Sequence, residues 1–254
     1  MSNPALNADR WAAGTRDGDM AVANRMTVEG AVMKTLALTA ILLVTIAVMW
    51  SQFWHGGDPD IKGMMPWLIG GAIAGLVLGL VGMFAHRAAF VVAPLYAVAQ
   101  GLFLGGLTMV FSKMYPGIAE SAAVYTIGVL FGMLVMYKMG VIKATAGFKR
   151  GVMIATAGLA IGTLALWVLG MFGIGQGISG MLYGNGWMGI AFSIFCIGLA
   201  ALNLVVDFGF IEEAAEKGAP KHYEWVGAFA LLVTMVWLYI EILRLLAKLR
   251  GSED

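Results

Sequence analysis

Seven stretches of this chain, each 19 to 24 residues long, carry only four charged residues between them, and nothing else in the sequence limits its fold so sharply. They are 35–54, 67–85, 88–111, 118–137, 152–172, 187–208 and 225–246. A helix needs roughly 20 mainly apolar residues to cross the hydrocarbon layer of a bilayer. The expectation is an all-α polytopic membrane protein with seven transmembrane helices. Composition agrees: 60% of the 254 residues are hydrophobic and 12% are charged. Soluble domains hold about 45–50% and about 25%. The 35 glycines suit a membrane bundle, because small residues let helices approach closely.

The segments between the runs carry the punctuation of loops. They include His55-Gly-Gly-Asp-Pro59, Tyr115-Pro-Gly117, the basic stretch 138–150, the Gly-rich stretch 173–186, and 212–223. Only His86-Arg87 separates the second run from the third, so those spans form a tight helical hairpin. Trp67, Trp187 and Trp225 each open a run, where an interfacial aromatic belt would place them. The domain reading is a polar cytoplasmic tail over 1–33 and one seven-helix unit over 34–254. Residues 1–30 hold no apolar h-region, so they do not read as a signal peptide, and targeting falls to the first span.

Orientation follows from Lys and Arg. With the N-terminus inside, eleven of the sixteen basic residues are cytoplasmic, which satisfies the positive-inside rule. Seven crossings then put the C-terminus outside. Its basic residues Arg244, Lys248 and Arg250 argue the other way, and a re-entrant segment in place of one span would bring it back inside.

Several function classes are disfavoured. The net charge is +1 and no basic patch is large enough for nucleic acid. Cys196 is the single cysteine, so neither an intrachain disulfide nor a Cys-based metal site can form. His55, His86 and His222 fall in or beside loops, and no cofactor is expected. Gly177-Ile-Ser-Gly180 matches a string found in intramembrane serine proteases, but that chemistry needs a histidine on a neighbouring span to take the serine proton. None is there, and the chain is expected not to be an enzyme.

Ionisable groups within a span cost at least roughly 2.5–3.5 kcal/mol at the helix centre, so each is a functional candidate. Asp207 lies near the cytoplasmic end of the sixth run, among apolar neighbours; an interfacial acid is its simpler role. Glu241 lies deeper in the seventh, where Arg244 could pair with it at i,i+3. Arg87 anchors the cytoplasmic turn and shares a side with Asp207, so a charge-assisted pair is open. Glu120 opens the fourth run, where an acid suits the helix dipole.

The C-terminal third carries a resemblance. Asn203-Leu-Val-Val-Asp-Phe-Gly-Phe-Ile-Glu212, Gly218-Ala-Pro-Lys221, Glu224-Trp225 and Thr234-Met-Val-Trp-Leu-Tyr-Ile-Glu-Ile-Leu-Arg-Leu-Leu246 resemble the Bax-inhibitor superfamily, in particular its bacterial branch. Asn3-Pro-Ala-Leu6, Met26-Thr-Val-Glu-Gly30 and Ala93-Pro-Leu-Tyr-Ala-Val-Ala-Gln-Gly101 extend the resemblance over nearly the whole chain. It implies a fold in which two layers of three helices surround a central seventh, in a bacterial inner membrane. It also implies a pH-sensitive calcium leak. Two aspartates, on the sixth and seventh helices, share a proton and help bind calcium, and a second-helix arginine latches the closed state. Two carboxylates held close cannot both ionise cheaply, and protonation would bias a bistable packing.

Residue by residue, Asp207 matches the sixth-helix acid and would be the calcium ligand. Arg87 falls close to the arginine position. On the seventh helix, Leu238-Tyr-Ile-Glu241 matches by string, whereas the chain's basic end aligns Thr234 instead. A hairpin turning at Pro220 puts Thr234 level with Asp207 and Glu241 about 10 Å away. The expected function is a pH-gated cation leak, with calcium as the ion. The rival is a non-conducting regulatory protein that binds a membrane protease or another membrane partner.

Overall fold

The computed structural model describes residues 25–251. The expected tail over 1–33 therefore lies largely outside the described residues, and its last part is helical. Eight α-helices occur among the described residues, and seven of them are long and apolar enough to cross a membrane. They are α1 (Val28–Phe53), α2 (Ile61–Phe84), α3 (Ala89–Met114), α4 (Ile118–Lys138), α5 (Ala146–Met171), the short α6 (Gln176–Tyr183), α7 (Trp187–Glu216) and α8 (Tyr223–Arg250). Each long helix coincides with one apolar run. Most outrun it at one end or both, because a helix continues past the hydrocarbon until a cap stops it. Thus α1 begins at Val28, where the Thr27 hydroxyl caps it by accepting from Gly30 N at 2.9 Å. Likewise α7 runs eight residues past Phe208, through Glu212, Glu213 and Glu216.

Two connections differ from plain loops. Residues Trp54–His55 (β1) and Asp58–Pro59 (β2) form a miniature antiparallel ribbon. Its two-residue turn is made by Gly56 and Gly57, both at positive φ as a tight hairpin demands. The Gly-rich stretch 173–186 holds α6, so Ser179 sits in a helix instead of a flexible loop. The Ser179 hydroxyl bonds to the carbonyls of Gly175 and Gln176, and no hydrogen bond from a histidine to it occurs among the described residues.

The tight α2–α3 hairpin is present, closed by one 3-10 turn at His86–Ala88. Its close contact depends on glycine. A methyl at Gly71 would stand 2.7 Å from both Ala99 O and Phe103 N, so the backbones meet where no side chain fits. Helix α8 is the most buried of the long helices. It packs against α1, α3, α4 and α7 and touches α2. One core cluster gathers Leu204, Leu238 and Leu243 where α7 meets α8. A second gathers Leu38, Ala97 and Leu232 where α1 and α3 meet α8. At the opposite extreme, Val152 is the one buried residue of α5, which leans on α7 alone among its substantial contacts.

Candidate functional site

Helices α7 and α8 form an antiparallel hairpin whose turn fixes which residues meet. Gly218, at φ +65°, ends α7 in the left-handed conformation. Gly218 N donates to Ala215 O and Ala219 N to Ala214 O, which caps the last carbonyls of the helix. Tyr223 N then donates to Pro220 O as α8 begins. The turn is therefore centred at Pro220, and counting equal distances along both helices pairs Asp207 with Thr234.

The side chains do meet: Thr234 Oγ1 donates to Asp207 Oδ2 at 2.6 Å. Asp207 is half-buried and Thr234 buried, and Leu204 and Leu231 of the same two helices belong to one core cluster. No salt bridge to Asp207 occurs among the described residues, so the carboxyl is held by a neutral hydroxyl.

The other two sequence candidates stand apart. Glu241 is buried but belongs to a different pair: Arg244 Nη1 donates to its two carboxylate oxygens at 3.1 and 3.3 Å. Arg244 also lies over the Tyr183 ring of α6, 5.6 Å from its centroid. Two carboxyls facing each other across α7 and α8 are thus not formed. Thr234 occupies the level of Asp207, and Glu241 lies seven residues, about 10 Å, further along α8. Arg87 is exposed in the 3-10 turn and makes no ion pair with Asp207. Its neighbour His86 faces Tyr223, with ring centroids 6.1 Å apart. As to calcium, no group of three or more His, Cys, Asp or Glu converges as a metal cage among the described residues. Asp207 offers one carboxylate, too few ligands for a closed site.

Two polar clusters escaped the sequence analysis. At the hairpin end, Glu224 is 1% exposed and accepts from Thr27 N (3.0 Å), from Thr27 Oγ1 (3.1 Å) and from the Lys34 ammonium. Met26 N also donates to Ala219 O at 2.7 Å, so the entry of α1 is tied to the α7–α8 turn. At the opposite end, Lys248 is 3% exposed and donates to Leu182 O (3.0 Å), Gly189 O (2.8 Å) and Ser193 Oγ (2.9 Å). A Ser–Lys contact can serve nucleophilic catalysis when the amine is free to take a proton. Here three acceptors match the three N–H donors of an ammonium, which makes the contact a clasp between α8 and the α6–α7 segment.

A third group lies on the side of α7 turned away from Asp207. Gly209, Glu212, Glu213 and Glu216 recur at i, i+3, i+4 and i+7, so they share one face. They border a polar cavity of about 340 Å³ that also reaches Tyr137, Lys138 and Lys149. Asp207 is offset from Gly209 by about 200° around the helix, so this cavity does not open onto it.

The family model described as Bax inhibitor 1 like matches residues 3–251, almost the entire chain. The chain belongs to the Bax-inhibitor family. No curated protein and no solved structure matches it. Within this Bax-inhibitor chain, Asp207 is an acid on the sixth of the seven candidate spans, and the residue opposite it is a threonine.

Proposed function

We propose that this protein is a non-enzymatic, pH-responsive cation leak of a bacterial inner membrane, with calcium as the conducted ion and the N-terminus inside. The observation that carries the reading is Asp207, a carboxyl in the sixth span held by the Thr234 hydroxyl, with no cationic partner among the described residues. An intramembrane acid facing the interior of a bundle marks an ion path or a proton relay more often than a structural element. With no counter-charge fixed beside it, the acid can exchange a proton for a cation. That exchange is what a pH-responsive leak requires. Family membership supports the same reading.

The rival reading, a non-conducting protein that docks a membrane protease or another bundle, draws on α5. Gly147, Gly151, Gly158 and Gly162 recur along this helix, and a methyl at any of them would meet open space. Such small-residue faces suit helix association in lipid. Calcium flux into proteoliposomes of the purified protein, across about pH 5–8, separates the two. The leak reading expects flux that changes with pH and depends on Asp207. Absence of flux at every pH supports the docking reading.

A further inference from the structure

A cleft of about 380 Å³ opens between α1 and α4, floored by α3 and α8. Its rims include Leu43 of α1 and Ile127 of α4, which are 57% and 52% exposed, so it faces the surrounding lipid sideways. Along α1 the cleft reaches from Thr39 to Trp50, eleven residues or about 16 Å. That is about half of the ~30 Å hydrocarbon thickness, the depth of one leaflet.

Its walls offer carbon along this length. The hydroxyls that line it are spent within their own helices: Thr39 on Thr35 O, Thr126 on Ala122 O and Thr108 on Leu104 O. Trp50 Nε1 donates to Thr108 Oγ1 at 3.1 Å, and Tyr239 OH reaches Ala119 O at 3.4 Å. Polar character returns at one end, on the side of the Tyr115–Gly117 turn. There Glu120, in the first turn of α4, lines the cleft, is exposed, and forms no ion pair among the described residues.

We infer that this cleft is a binding site for a phospholipid with an amine headgroup. One acyl chain fills the slot, and the ethanolamine ammonium donates to the Glu120 carboxylate. A single leaflet's depth of apolar wall suits an acyl chain. The lone carboxylate at its mouth selects a headgroup bearing N–H donors over an anionic one.

Photo-crosslinking tests this in nanodiscs, using lipids with the same diazirine-bearing chains and either an ethanolamine, a choline or a glycerol headgroup. The expected result is labelling at Leu43, Ile46 and Ile127 about threefold stronger with ethanolamine than with glycerol, as an exposed charge pair allows. Choline, which lacks N–H donors, should fall between them. Glu120→Gln should erase the headgroup preference, and Ala123→Phe should fill the slot and suppress labelling there but not at Leu76 on α2. If Ala123→Phe does not fold, Glu120→Gln, an isosteric change at an exposed position, still decides the matter. Labelling of the cleft no stronger than at Leu76, or equal for ethanolamine and glycerol lipids, overturns the proposal.

Discussion

The Thr234 hydroxyl donates to the Asp207 carboxylate at 2.6 Å across the α7–α8 interface. A carboxyl here would have produced two acids competing for one proton. A hydroxyl instead supplies one donor whatever the charge on Asp207, because threonine does not titrate in this range. The pair therefore has a single titrating member, and any pH response built on it follows one proton and not a coupled pair.

Asp207→Asn should keep the contact, since the amide oxygen still accepts from Thr234, and its cost in stability should stay within about 1 kcal/mol. Thr234→Val removes the donor and leaves the carboxyl unsatisfied, at about 1–3 kcal/mol. Thermal unfolding in detergent ranks the two. In proteoliposomes, Asp207→Asn should flatten the pH dependence of calcium flux. A flux profile unchanged in Asp207→Asn would remove Asp207 from the gating mechanism.

Glu241→Gln should leave that profile as it is. Glu241 binds Arg244 at i,i+3 on its own helix, so its loss frees a guanidinium that is already 36% exposed. The expected cost is about 1 kcal/mol or less. A shift in the flux profile comparable to that of Asp207→Asn would mean that Glu241 reaches the ion path in a state other than this one.

Much of this was legible in the sequence, for identifiable reasons. The seven spans could be read because an uninterrupted apolar run has one stable solution in a bilayer. The level of Thr234 could be read because Gly218-Ala-Pro220 fixes the hairpin turn, and helices of constant rise transmit that register. The Glu224–Lys34 pair was hidden, since 190 residues separate its members and only three-dimensional packing shows that both face inward. Lys248 was hidden for a related reason. Near a helix end it looks like an interfacial anchor, and its partners come from the start of α7 and from α6, a helix concealed within a Gly-rich stretch.

The Glu224 cluster makes an unusual prediction for Gly30. Glycine within a helix ordinarily yields about 1 kcal/mol when replaced by alanine. At Gly30 the new methyl would overlap the Glu224 carboxylate, which is pinned by Thr27 and Lys34. Gly30→Ala should therefore destabilise, by about 1–3 kcal/mol as overpacking does. Glu224→Ala, which strands the Lys34 ammonium, should cost roughly 3–5 kcal/mol. Detergent-solubilised thermal melts would show both. A Gly30→Ala protein more stable than the parent would mean that Glu224 is not held where the structure puts it.

Seven crossings require the two ends of the chain to lie on opposite sides of the membrane. In a Cys196→Ala background, Ser252→Cys should react with an impermeant thiol reagent in intact cells, whereas Lys143→Cys should react only after lysis. Labelling of both positions after lysis alone would mean an even number of crossings between them, whereas labelling of Lys143→Cys in intact cells and of Ser252→Cys only after lysis would mean seven crossings in the reverse orientation.

At the far end of α8, Lys248 holds the α6–α7 segment by three hydrogen bonds, two of them to backbone carbonyls. Lys248→Met keeps much of the stem's apolar packing and deletes every donor, leaving the carbonyls of Leu182 and Gly189 without this partner. Each unsatisfied acceptor costs about 1–3 kcal/mol if it stays buried. The cheaper response is for the segment to lift, because α6 is only eight residues long and Gly175 and Gly184 flank it. Hydrogen exchange should therefore speed up across 176–189 in Lys248→Met while the α7–α8 hairpin near Asp207 keeps its protection. Faster exchange along the entire length of α8 would instead make Lys248 a support of the central helix, and the clasp assigned to it here would be wrong.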